Sequence, residues 1–175
     1  MSQEPQTVSL NSAQHAAAAV DHARRLRQSA VVLRRLAGTM KYHPITGQRS
    51  EPSAALTDAL DAAAQVLNEI QRSAAERAEE ESFFDARGEA IATQIRAGHE
   101  SLEQRAQVTA AAIEVLRTVL ATQDGEALDA PYGGSAPRRH HPGALCTIVA
   151  ERAESLALAL ETVAILKVNI PAGDR

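Results

Sequence analysis

Apolar residues recur along this chain at alternating steps of three and four, the spacing that gathers them on one face of an α-helix. The first such stripe is Ala19, Ala23, Leu26, Ala30, Leu33 and Ala37. Asn11, with Gln14 three residues on, can cap the start of a helix. Gly38 supplies a left-handed stop, and Arg34 and Arg35 face the negative end of the dipole. These signals predict a first helix over about 11–37.

A second stripe runs Leu56, Leu60, Ala63, Leu67, Ile70 and Ala74, and resumes at Phe84, Ile91 and Ile95. Positions 56, 63, 70, 84 and 91 are whole heptads apart, which predicts one long, coiled-coil-like helix over about 53–97. Proline is welcome in a first turn, so Pro52–Ser53 can start it, and Gly98 repeats the stop signal of Gly38. Arg77, Glu81 and Gly88 stand where the stripe wants large aliphatics, and Ser82 with Asp85 could cap a fresh helix. A kink between 80 and 88 is therefore the alternative.

Helix three is predicted over about 101–121, with Leu102, Ala106, Val108, Ile113, Val115 and Leu116 covering nearly half its circumference. Helix four follows over about 144–169, its main face carrying Leu145, Ile148, Val149, Leu156, Leu160 and Val163. Leu158 and Ile165 point to its opposite side, seven residues apart, as candidates for a second contact seam. Loops are predicted at 38–52 and 124–143.

The expected fold is all-α: a single helical domain over 1–175, four-helix bundle-like, with its second helix much longer than the rest. At about 1.5 Å per residue that helix would reach roughly 68 Å, against roughly 35–42 Å for its neighbours. Such a bundle would not close without a bend or a second chain, which points to assembly.

Composition agrees with packed helices. The chain is 45% hydrophobic, yet it has two Phe, two Tyr and no Trp, and alanine supplies much of the remainder. Net charge is −4, which argues against a general nucleic-acid binder. Residues 1–50 carry seven basic against two acidic side chains, and residues 51–100 four against eleven. A basic first helix and an acidic second one are expected to attract each other. The single Cys146 excludes an internal disulfide and fits a reducing, cytoplasmic setting. MSQEPQTVSLNSAQ lacks the basic-then-apolar pattern of a secretory signal. LALALETVAILKV is interrupted by Glu161 and Lys167 and is too short to span a membrane.

Motifs that carry chemistry are scarce. There is no Gly-rich phosphate loop, no paired cysteine and no HExxH; no histidine has an acid three positions before it, so a bundle di-iron site is not expected. No catalytic residue, metal site or cofactor is assigned. His99 and Glu103 could share a helix face, but Gly98 makes His99 a turn residue; His15 and His22 lie seven apart on helix one. Cys146 near a helix N-terminus, a few residues after His140 and His141, is the one arrangement resembling an activated thiol, and a buried structural cysteine is the commoner outcome.

Arg24, Arg27, Arg34 and Arg35 fall in one stripe on helix one. They could meet phosphates, or the acids Glu69, Glu76, Glu79, Glu80 and Glu81. Arg138, Arg139, His140 and His141 form a second basic group in the proline-bracketed APRRHHPG. Arg152, between Val149 and Leu156 on an apolar face, is expected to pair with an acid of the 76–85 segment, Glu81 being the candidate. The function expected from all this is non-enzymatic: a helical scaffold or adaptor that self-associates or joins a larger protein assembly. A nucleic-acid- or phosphate-binding protein using the helix-one arginines is the alternative.

Overall fold

The computed structural model describes residues 4–40, 52–85, 88–126 and 142–169. All of their regular structure is helical: α1 (Glu4–Met40), α2 (Pro52–Arg72), α3 (Ala74–Asp85), α4 (Glu89–Glu126) and α5 (Pro142–Asn169). Two of these begin on proline, which needs no intrahelical partner for its nitrogen there.

The expected 53–97 helix is not continuous. It is irregular at Ser73 and ends at Asp85. At Ser73 the helical bonds carry across, Ser73 N–H to Glu69 O and Arg77 N–H to Ser73 O, both at 3.1 Å. The carbonyl of Ile70 receives Ser73 Oγ at 3.0 Å and an Arg77 guanidinium N–H at 2.6 Å. Side chains that insert into the backbone ladder in this way bend a helix without ending it. The chain reverses between the end of α3 and the start of α4, and Gly88, just before α4, has φ of +144°, a conformation that side chains rarely adopt. Arg96 binds Asp85 across this turn at 2.6 Å.

Gly98, expected as a stop, lies inside α4. A Cβ there would meet Val163 Cγ2 at 3.2 Å, so the residue lets α5 approach closely. Gly38 and Asn11 likewise lie within α1, which outruns its expected bounds at both ends. With the reversal lying between α3 and α4 and not at Gly98, α2 and α3 together match α4, and the length mismatch disappears.

Cross-helix contacts fix the directions. Arg27–Glu161 and Arg34–Glu154 set α1 antiparallel to α5. His15–Glu76 and His22–Glu69 set α1 antiparallel to the α2–α3 arm. Arg117–Asp61 and Arg77–Glu103 do the same for that arm and α4. Arg105 to Ser155 O and Thr109 to Arg152 O pair α4 with α5.

The main core joins Leu26 and Leu33 of α1, Leu60 and Val66 of α2, Ile113 and Leu116 of α4, and Val149 and Leu156 of α5. Ala23, Ala30, Ala63, Ala150, Ala153 and Ala157 are wholly enclosed between them, which lets the helices approach closely. A smaller cluster of Phe84, Ala92 and Ile95 fills the turn end, with Phe83 and Phe84 edge to face.

Candidate functional site

One group of residues is a buried polar layer near the end of α3, built around Glu80. Glu80 is 9% exposed. His15 of α1 donates from Nδ1 to its Oε1 at 2.5 Å, and Lys167 of α5 places Nζ 2.7 Å from its Oε2. His99 of α4, 2% exposed, donates from Nδ1 to Glu81 Oε1 at 2.8 Å and leaves Nε2 3.7 Å from Glu80 Oε2. One turn along, Arg77 reaches Glu103 at 3.0 Å. Further along, Glu69 receives Arg25 and His22, each at 2.8 Å.

Electrostatics follow from this crowding. Burial pushes the Glu80 carboxyl up, but Lys167 and His15 outweigh it and hold the group below the ordinary carboxylate value. Glu69 is held low by its hydrogen bond from Arg25, against a smaller opposing effect of burial. Burial pushes His99 below the usual imidazole value, and the nearby Lys167 charge adds to this against the pull of Glu81 and Glu80. A cavity of about 150 Å³ adjoins the layer, lined among others by His15, His22, Arg77, Glu80 and Lys167. Arg77 Nε, His99 Nε2 and Glu80 Oε2 are enclosed without a hydrogen-bond partner, Glu80 Oε2 meeting Lys167 only as an ion pair.

This arrangement ties α1, α3, α4 and α5 together. Lys167 is ion-paired with one oxygen of Glu80 and His15 is hydrogen-bonded to the other. Among the described residues no group of three or more His, Cys, Asp or Glu could hold a metal ion. Cys146 is fully enclosed, and burial pushes its thiol up to about 11, outweighing the helix N-terminus expected to activate it.

The expected pair of Arg152 with Glu81 is not made. Arg152 is exposed, and Glu81 is taken by His99. The buried face of α5 is centred on Cys146, Ala150, Ala153 and Ala157, which turns Arg152 outward and Ile148 partly so. His99 sits in mid-helix against the expectation of a turn. The cation paired with Glu80 is Lys167, its side chain 6% exposed, read from the sequence only as an interruption of an apolar run. One signal for the layer was present: His15 and His22 are seven apart, and so are Glu69 and Glu76.

Arg24, Arg27 and Arg34 meet acids, but none of those expected. Arg24 binds Asp21 in its own helix, and Arg27 and Arg34 bind Glu161 and Glu154 of α5, each at 2.6 Å. Arg35 is exposed. The polar contacts between the first two arms are made by His15, His22 and Arg25 instead. Arg138, Arg139, His140 and His141 lie outside the described residues.

A second group of residues forms an outward face along α1 and α5. Val20 and Val31 are 52% and 64% exposed, and Leu158, Ile165 and Val168 are 54%, 59% and 69% exposed. Leu158 and Ile165 thus lie where the sequence placed them, away from the core. A shallow, open depression of about 520 Å³ runs over Val20, Arg24, Arg27, Val31 and Glu161.

Compared with protein-family models, curated proteins and solved structures, the chain matches none of them. Among the described residues no helix is long and apolar enough to cross a membrane.

Proposed function

We propose that the chain is a non-enzymatic scaffold or adaptor. In this reading it is an up-down-up-down four-helix bundle, with α2 and α3 as one arm, whose outer α1–α5 face packs against another helical protein surface. The observation that carries the reading is the alignment of Val20, Val31, Leu158, Ile165 and Val168, all more than half exposed, along two adjacent helices. Scattered exposed aliphatics are ordinary, but a row of them marks a surface that gains from being covered. Covering each such side chain is worth about 1 kcal/mol or more at roughly 25 cal/mol per Å².

The buried polar layer fits the same role, because a rigid bundle presents its outer face in a fixed shape. The single buried thiol suits a reducing, cytoplasmic setting. Phosphate or nucleic-acid binding is the weaker reading, since a phosphate would have to displace Glu161 and Glu154 from Arg27 and Arg34.

Photo-crosslinking tests the scaffold reading. A photoreactive residue at Leu158 is expected to give a defined protein adduct in extracts of the source cell, and one at the exposed Arg152, on another side of α5, to give none. Equal or absent adducts at both positions would sink it.

A further inference from the structure

We infer that the α1–α5 face binds a second copy of the same chain, with the two-fold axis running parallel to the helices along the groove between α1 and α5. This rests on the scaffold reading and names its partner. The seam on α1 is Val20, Arg24, Arg27, Val31 and Arg34; the seam on α5 is Glu154, Leu158, Glu161, Ile165 and Val168. Both follow steps of four, three, four and three, so each keeps one side of its helix.

The ion pairs give the levels. Arg27 lies beside Glu161 and Arg34 beside Glu154, so Val31 is level with Leu158, and Val20 with Val168. The face thus has aliphatic layers at Val20–Val168 and Val31–Leu158 and charged layers at Arg27–Glu161 and Arg34–Glu154, with Arg24 level with Ile165. All the charge on the α1 seam is positive and all the charge on the α5 seam is negative.

Charge then selects the geometry. An axis across the helices would lay α1 on α1 and set arginines against arginines. An axis along the groove lays the α1 of each copy on the α5 of the other, antiparallel and at the same level. Arg27 then faces Glu161 of the second copy, Arg34 faces its Glu154, and Val31 faces its Leu158. An isologous contact of this kind closes on itself and makes a dimer. Opposite charges in register also reject the other arrangement, since like-charge juxtaposition is strongly unfavourable.

The test is a charge exchange read by native mass spectrometry and sedimentation of the full chain. Arg27→Glu sets the introduced carboxylate against Glu161 of the other copy, and Glu161→Arg sets the introduced guanidinium against Arg27 of the other copy. Each variant alone is expected to self-associate on the order of 100-fold more weakly. An equimolar mixture is expected to recover the dimer as a one-to-one hybrid, because both intermolecular pairs are then restored while the pair within each chain stays broken. That recovery is what a merely structural role would not give.

The exchanged side chains are solvent-accessible, so folding should survive, as circular dichroism will report. If either variant unfolds, Arg34→Glu with Glu154→Arg repeats the exchange at the next charged layer. Variants that dimerise as well as wild type, or a mixture that stays monomeric, would overturn this face while leaving self-association standing. A wild type that stays at 18.6 kDa overturns the second copy, and the crosslinking at Leu158 alone then decides the scaffold reading.

Discussion

Glu80 receives a histidine from α1 and a lysine from α5, and it lies close to a buried histidine of α4. Removing one member of such a cluster strands the others in a poorly solvated place. Lys167→Met is expected to cost about 3 kcal/mol in urea denaturation, and adding Glu80→Leu to recover part of it; a double variant as unstable as the single would refute the pairing. Acid acts on the same cluster. His99 titrates below its ordinary 6.5, so the unfolded chain takes up that proton first; its contribution is complete above 6.5 and is lost as pH falls through the lower folded value. Glu80 and Glu69 titrate below their ordinary 4.5, so their contributions are complete above 4.5 and are lost at still lower pH. Both effects have the same sign. The urea midpoint should fall from about pH 7 to about pH 4, and His99→Asn should flatten the upper part of that fall; a midpoint that rose on acidification would contradict it. Little of this layer was legible from residue types alone. Lys167 sits in an apolar run where its burial leaves no mark, and Arg152 was misplaced because Val149 and Leu156 outweighed the smaller alanines that centre the buried face.

At the scale of elements, periodicity carried far. Ala19, Ala23, Leu26, Ala30, Leu33 and Ala37 are all buried as their spacing implies, and so are the heptad positions Leu56, Ala63, Ile70, Arg77 and Phe84. The same heptads concealed the turn. Phe84 and the residues around Ile91 come from opposite arms of a hairpin, yet both face the turn-end cluster, so the apolar register continues across the reversal. Gly88 and Gly98 were the two candidates for a break, and only backbone conformation separates them. Gly88→Ala should destabilise by about 1–3 kcal/mol because its φ is unfavourable for a side chain. Gly98→Leu should cost about 1–3 kcal/mol by crowding Val163 and Leu166. Thermal denaturation of both variants checks this; a neutral Gly98→Leu would contradict close packing of α4 on α5.

Taken whole, the chain places its polar layer at the turn end and its aliphatic row on the outside of α1 and α5. Helix content was legible from composition and period. Unequal helix lengths, by contrast, give no drive to assembly, because the break between α3 and α4 evens the arms. What stands in their place is the α1–α5 face, which we propose binds a second copy through its opposed charges and shared levels. The most direct test is the mass of the full chain by sedimentation equilibrium from roughly 10 to 200 µM. A self-associating chain gives a mass that rises with concentration towards twice 18.6 kDa, which is the expected result. A mass fixed at 18.6 kDa over that whole range would contradict it.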